Sequence, residues 1–561
     1  MGNRQKLCRV FRNVKVPMRD GVRLSTSIFL PSGDGKYPAV LVRTAYNRVG
    51  AYYGLYFAER GIAYVVQDCR GRYDSEGEFY PFINEPNDGE DTLNWIGSQP
   101  WCNGKIGMFG DSYLAATQFA VGPLKNKYLA CLNPRFMSVD CWKRAYYCSG
   151  AFSLGLTWSW LCFECNSRTS EAAMMPAFDV SGVLCSLPLA MLDEVSGAGI
   201  VQSYRDYVSH NTYSKFWQHL NQGEKYRDYT VPVFLLGGWY DYYPADAVSA
   251  FIGLRENAPS KELHDAHRLL IGPWTHGTSN STMLGEIDFG PDALKENDAS
   301  ERWLECLLKG KKPEQFQKAP VRIFVMGANL WRDQYEWPPA GTEYKKIYLR
   351  SGNSLSTVQP SSEKPDYYQY DPADPVPTYG GNHSIGTYNP GLYEIAKPGP
   401  YDQRPIEARN DVLTYTSDPL DKDVEITGHV IVKLFAASSA RDTDFVARLT
   451  DVHPDGKSIN ITEGVIRARF RENIHGAPKL IEPGKVYEYT IDLGVTSNLF
   501  KKGHAIRLQI TSSNFPLWDR NLNTGNDPGT DTEMQVAEQA VFHDRAYASH
   551  IVLPVVRGSL Q

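Results

Sequence analysis

From Ala39 to Gly272 the apolar positions fall in short bounded runs rather than in alternation. The runs are Ala39–Val42, Ala63–Asp68, Ile106–Phe109, Ala130–Asn133, Val233–Gly237 and Arg268–Gly272, with helix-compatible stretches between them. Strands covered by helices on both faces of their sheet read this way. The succession predicts a mostly parallel, doubly wound α/β domain. Ahead of it, Val14–Val16, a turn over Met18–Val22 and Arg23–Leu30 predict a strand, a turn and a second strand.

Between about 143 and 225 the strand pattern stops. Tyr146, Tyr147, Phe152, Trp158, Trp160, Met174, Met175, Phe178 and Trp217 recur there at helix-compatible spacing. This stretch predicts a helical insertion whose aromatic residues either pack a core or line a pocket as a lid. After about 318 the texture changes to strand-like runs split by loops rich in Asp, Pro, Gly and Asn. These runs are Val321–Met326, Lys345–Leu349, Glu425–Ala436, Asp444–Asp451, Gly464–Phe470, Lys485–Leu493, Ala505–Ser512 and His550–Val556. Many short strands with turn signals predict a β-sandwich. The expected organisation is an α/β domain over 1–142 and 226–318, a helical cap over 143–225, and a sandwich over 319–561.

Composition narrows the function classes. The 561 residues are 42% hydrophobic and 22% charged, which excludes a disordered chain. A formal net charge of −6 and the lack of any basic run argue against a nucleic-acid partner. No window holds 18 consecutive apolar residues, so no membrane span is expected. The basic N-terminus is not followed by an apolar stretch, and position six is Lys6 rather than the Ser or Thr of a myristoylation signal. Ten cysteines all lie at or before Cys306, and the one C-x-x-C, Cys162 and Cys165, has no second metal-ligand pair. They read as reduced thiols of a cytoplasmic protein. The oligomeric state stays open, a homo-oligomer included.

The sharpest local signal is Lys105–Ala116, where an apolar strand runs into Gly110, Asp111 and Ser112 and a small-residue helix follows. A tight strand-to-helix turn exposes the serine hydroxyl and aims the following N–H groups at one point, where an oxyanion could form. A serine before a helix is also a common N-cap, so this signal alone does not decide. Two later strand ends do. Val231–Asp241 ends in a Gly-Gly pair and then presents Asp241; Leu269–His276 presents His276. Open α/β sheets carry their sites at the carboxyl ends of strands, and Ser112, Asp241, His276 is the chain order of α/β-hydrolase triads.

These residues resemble the cocaine esterase-like (CocE/NonD) serine hydrolases, relatives of the α-amino-acid ester hydrolases and X-Pro dipeptidyl-peptidases. The resemblance runs nearly end to end. It includes Val16–Leu24, Arg43–Tyr46, Gln67–Gly71, Ser75–Phe79, Ile106–Leu114, Gly238–Asp241 and Gly272–His276. In the last third it takes in Tyr370–Pro377, Asp444–Phe445, Ser512–Pro516 and Asp519–Asn521. It implies an α/β-hydrolase domain, an inserted helical cap and a C-terminal jelly roll. It also implies Ser112 as nucleophile, His276 as general base and Asp241 as its orienting carboxylate. The Tyr46 hydroxyl and the Tyr113 backbone N–H match the family's oxyanion hole. The chain departs from the family at Ala115, where many relatives have glycine, at Asp111, where an apolar or small residue is usual, and in the rim segment 382–391.

The expectation is a serine hydrolase that cleaves a small carboxylic ester, or an amide, through an acyl-enzyme, with no metal or organic cofactor implied. Trp158, Trp160, Tyr242 and Tyr243 are the expected pocket residues and suit a bulky or aromatic acyl group. Asp111 either favours a cationic substrate or is a buried acid bonded to backbone or to a partner base. Acyl transfer or aminoacyl ester and peptide hydrolysis on the same triad is the enzymatic alternative. An inert binding protein that uses the jelly roll is the alternative of another class.

Overall fold

Ten strands form the first sheet of the computed structural model, which describes residues 8–49, 51–171, 179–276, 279–311, 319–383 and 396–557. Their spatial order is Cys8–Pro17, Arg23–Pro31, Ala63–Asp68, Tyr37–Thr44, Cys102–Asp111, Leu129–Arg135, Phe234–Gly238, Arg268–Gly272, Val321–Val325 and Leu330–Gln334. The strands from Ala63–Asp68 to Val321–Val325 run parallel; Arg23–Pro31 and Leu330–Gln334 run against them, and Cys8–Pro17 pairs antiparallel with Arg23–Pro31. The middle strands are buried along nearly their whole length, as their continuous apolar runs require. Met18–Val22 is the expected turn, closed by Met18 N–H to the Val22 carbonyl at 2.8 Å.

One part of the expected organisation is corrected here. Val321–Val325, read from sequence as the first sandwich strand, pairs in parallel with Arg268–Gly272 and so extends the α/β sheet. Leu330–Gln334 follows it as the antiparallel edge. The sheet therefore runs past residue 318. A parallel partner is invisible in a lone apolar run, since its register partner lies some fifty residues away.

The insertion between the Leu129–Arg135 and Phe234–Gly238 strands is made of short helices, among them Leu154–Ser159, Gln202–Ser209 and Lys215–Leu220, with one small antiparallel pair, Tyr147–Cys148 and Ala151–Phe152. Their apolar core holds Trp142, Tyr146, Trp158, Tyr207 and Trp217 and is shared with Phe515, Leu517 and Trp518 of the C-terminal region. Met174, Met175 and Phe178 lie outside the described residues.

The C-terminal region is a β-sandwich built as one mixed network of eleven strands. Val424–Ser438, its longest strand, alternates buried and half-buried positions through Val430, Val432, Leu434 and Ala436. That alternation is the signature of a strand with one face on a core. Buried polar groups stitch this region to the insertion. Arg467 donates to Asp444 at 2.9 Å and to Asp519 at 2.8 Å, and Asp519 accepts the Phe152 N–H at 2.7 Å. Asn521 donates to Asp442 and Asp444. Several segments that carry the family resemblance are thus scaffold.

Candidate active site

The carboxyl ends of three parallel strands meet at one place. The first, Cys102–Asp111, passes through Gly110 at φ +145° into Ser112, whose φ of 57° and ψ of −125° lie in a region that side chains rarely adopt. A Cβ on Gly110 would stand 2.5 Å from the Leu114 Cβ, so the turn cannot be made this tightly with a larger residue. Ser112 N–H donates to the Arg135 carbonyl at 2.9 Å, which ties the turn to the neighbouring strand. The helix Tyr113–Val121 starts at once, and the N–H groups of a first helical turn have no partner within their own helix.

Asp241 and His276 follow the ends of the adjacent strands Phe234–Gly238 and Arg268–Gly272. Gly238 lets these two chain segments touch, because a Cβ there would lie 2.2 Å from the Trp274 carbonyl oxygen. Trp239 N–H to the Gly272 carbonyl at 2.9 Å and Tyr240 N–H to the Trp274 carbonyl at 3.0 Å lock the approach. His276 Nδ1 and Asp241 Oδ1 are 3.0 Å apart, and the carboxylate also accepts the Tyr242 N–H at 2.8 Å. Both side chains are buried. Burial by itself lowers the imidazole's pKa. The charge and hydrogen bond of Asp241, with Asp111 behind it, more than offset that and hold His276 above its ordinary 6.5.

Tyr46 stands across from His276, just past the Tyr37–Thr44 strand. Its hydroxyl accepts the Trp160 indole N–H at 2.9 Å, and with Ser112 it lines the same pocket. Burial pushes that hydroxyl well above its ordinary pKa of 10, so it remains a proton donor. Tyr113 is anchored from behind, its hydroxyl donating to Glu85 at 2.7 Å and accepting the Phe82 N–H at 3.0 Å. Glu85 is in turn ion-paired with Arg43.

Tyr46, Ser112, Tyr113, Trp160, Tyr243 and His276 line one pocket with Phe82, Met137, Tyr146 and Leu156. Phe82, Met137 and Leu156 were not expected from sequence; Phe82 and Met137 come from connecting segments that carry no signal of their own, and Leu156 from the short cap helix Leu154–Ser159. Tyr146 belonged to the aromatic series but was not separated from its neighbours.

Three expected substrate contacts are placed differently. Trp158 is fully buried, with its indole N–H 3.4 Å from the Leu192 carbonyl and its ring against Phe163. Two helical residues from Trp160, it points some 200° away around the axis and packs the cap core. Tyr242 lines a separate polar cavity beyond Asp241, with Arg144, Asn382 and Glu463. Asp111 is ion-paired with Arg135, which also approaches Glu301 at 3.6 Å and lies 4.3 Å from the Phe109 ring centre. It is absent from the described pocket lining, so the partner-base reading replaces that of an amine receptor. Of the rim segment 382–391, residues 384–391 lie outside the described residues; Asn382 donates to the Trp239 carbonyl.

Comparison with known proteins follows the same division. Residues 20–278 match the model of the X-Pro dipeptidyl-peptidase (S15) family, and residues 315–552 match that of the X-Pro dipeptidyl-peptidase C-terminal non-catalytic domain. The chain is 36% identical over 585 aligned positions to cocaine esterase of Rhodococcus sp. (strain MB1 Bresler), covering 98% of this chain and 99% of that one. Among solved structures, an α-amino-acid ester hydrolase superposes with a TM-score of 0.86 at 26% identity over 99% of this chain and 98% of its own. An aminopeptidase from a marine sediment archaeon of the Thaumarchaeota gives 0.86 at 25% identity with the same coverage. With an α/β-hydrolase sheet, an inserted cap, a C-terminal β-sandwich and this likeness along almost its full length, the chain belongs to the cocaine esterase-like (CocE/NonD) family of serine ester hydrolases.

Proposed function

We propose that the protein hydrolyses small, uncharged carboxylic esters with a bulky or aromatic acyl group, and that Ser112, His276 and Asp241 carry the reaction. The observation that carries this reading is the convergence of the Ser112 and Tyr46 hydroxyls and the His276 ring on one aromatic pocket, with Asp241 fixed behind the imidazole. Asp241 occupies Nδ1, which leaves Nε2 to take the proton of Ser112 as its oxygen attacks the carbonyl. The Tyr46 hydroxyl and the Tyr113 N–H receive the charge that develops on the carbonyl oxygen. His276 then gives its proton to the departing alcohol and activates water against the acyl-enzyme.

The substrate class follows from the wall. Phe82, Tyr113, Tyr146, Trp160 and Tyr243 offer ring surface, and no carboxylate is among the described lining residues. An α-amino acyl group would bring a buried ammonium with no partner there, which is costly. All ten cysteines are unpaired, which supports a reducing, cytoplasmic setting.

The test is turnover on paired esters that share one alcohol and differ in the acyl group, aromatic against α-amino, with wild type and Ser112→Ala. Aromatic esters should be the better substrates, and Ser112→Ala should abolish turnover with its thermal midpoint near wild type. Wild-type rates in Ser112→Ala, purified free of host esterases, would refute the assignment. A preference for α-amino esters would overturn the substrate class and leave the triad standing.

A further inference from the structure

On the C-terminal sandwich, far along the chain from the triad, one strand pair brings three metal-binding side chains together. Asp451 is near the end of the strand Asp444–Val452, and His453 is two residues on, on the same side of an extended chain. His504 immediately precedes the strand Ala505–Thr511. The two strands are antiparallel with Val452 opposite Ala505 and Asp451 opposite Ile506. Carrying that register one step further sets His453 opposite His504. Their ring centres are 4.5 Å apart. His504 Nδ1 is 2.8 Å from Asp451 Oδ1, and His453 Nε2 is 4.0 Å from Asp451 Oδ2. One ligand atom from each of the three residues falls within 4.8 Å of the others.

We infer that Asp451, His453 and His504 form a binding site for a divalent transition metal ion of the zinc class, clamping two turns of the sandwich together. Imidazole nitrogen and carboxylate oxygen suit that class of ion. Metal–nitrogen and metal–oxygen distances of about 2.0–2.2 Å put tetrahedral ligand atoms some 3.3–3.6 Å apart. The observed 2.8 and 4.0 Å straddle that spacing. The carboxylate and His504 are largely buried and held, whereas His453 is about one-third exposed and its ring is the part that moves to close the site. His504 is further fixed by its main chain, whose N–H donates to Lys501 and whose carbonyl accepts from Leu420. Water completes the coordination on the solvent side. The proton shared between His504 Nδ1 and Asp451 leaves to solvent when the ion takes its place.

The clamp joins the turn after Val452, closed by Gly456 N–H to the His453 carbonyl, to the Lys501–His504 turn. It has no part in the hydrolysis, and its effect is on stability.

Titrating the full-length protein with Co²⁺ as the probe, and then with Zn²⁺ in competition, tests the site. One equivalent should bind with visible d–d absorption and without the near-ultraviolet charge-transfer band of a thiolate ligand. The thermal midpoint should rise with metal concentration, as expected of a ligand that binds only the folded state. His453→Gln, at the most exposed ligand, should weaken binding by about tenfold or more, at least what losing an orienting partner costs. Ester turnover should stay at its wild-type value with and without the ion. His504→Gln gives the same readout from the other strand. Thiolate-type spectra, affinity unchanged in both variants, or no saturable binding would each overturn the inference.

Discussion

The Tyr46 hydroxyl is held by the cap. Trp160 donates to it, which leaves its own proton for the oxygen of an incoming carbonyl. Tyr46→Phe should therefore cost about 2.7–4 kcal/mol of transition-state stabilisation, or about 10²–10³ in kcat, with little change in KM. Trp160→Phe removes the N–H together with the five-membered ring and keeps one aromatic ring against Phe82 and Tyr113. A neutral hydrogen bond is worth about 0.5–1.5 kcal/mol, so kcat should fall by roughly two- to tenfold. In the Tyr46→Phe background the same change should cost almost nothing, because its recipient is gone. Additive losses would mean that Trp160 acts on substrate directly.

Asp111 gives a second prediction at this scale. Its side chain is 33% exposed and paired with Arg135, yet its charge still acts on His276. The general base works when neutral, so a raised imidazole pKa moves the acid limb of kcat/KM upward, to a centre above 6.5. Asp111→Asn removes part of what holds it there, and the limb should shift to lower pH. The shift should be equal for amine-bearing and neutral esters. A selective loss on amine-bearing esters would return Asp111 to the substrate pocket.

Among the elements, the junction of cap and sandwich depends on a buried charge cluster. Arg467 bonds both Asp444 and Asp519, and all three side chains are almost fully buried. Arg467→Met leaves two carboxylates facing each other without a cation. Breaking a buried pair in this way typically costs about 3–5 kcal/mol. Chemical denaturation should show a loss of that size, and a change under about 1 kcal/mol would mean that water or another base replaces the arginine. None of this was legible in sequence, where Asp444 and Asp519 were only pieces of a resemblance. A polar residue in a loop carries no sign of the distant partner that buries it. Buried strands were far easier to read, because Ala63–Asp68 and Arg268–Gly272 are bounded by polar neighbours that mark their ends. Polar edge strands such as Leu330–Gln334 and Asp366–Tyr370 went unread, since one or both of their faces meet solvent. Gly464–Phe470 was read as a strand, yet the strand is Ser458–Arg467 and Ala468–Phe470 is a turn of 3₁₀ helix.

For the whole molecule, the decisive contact is where the α/β sheet and the sandwich share chain. Met326 N–H donates to the Ser497 carbonyl and its own carbonyl accepts from Leu499, so the segment after Val321–Val325 is bonded into the sandwich while that strand is bonded into the catalytic sheet. Trp239 donates its indole N–H to the Phe324 carbonyl at 2.7 Å, and the Tyr240 hydroxyl donates to the Asn460 carbonyl at 3.0 Å. A chain ended at residue 318 would lose the strand that flanks Arg268–Gly272, and with it the support of His276. Such a fragment should fail to give a cooperative melting transition, and a fragment that melts cooperatively and hydrolyses esters would contradict this. The grouping of Ser112, Asp241 and His276 was legible because they follow three strand ends in the chain order of the hydrolase architecture. The boundary was misread because Val321–Val325 looks like any short apolar strand and its parallel partner is distant in the chain.

That shared strand also sets where related enzymes can be recombined. The match to the C-terminal family begins at residue 315, ahead of Val321–Val325, so a graft cut at that point would import a foreign flank for the strand that carries the histidine. A crossover placed after Leu330–Gln334 and before Glu343–Arg350 keeps every neighbour of the parallel sheet native. It exchanges the sandwich as one cassette and leaves every described residue of the pocket lining, from Tyr46 to His276, native.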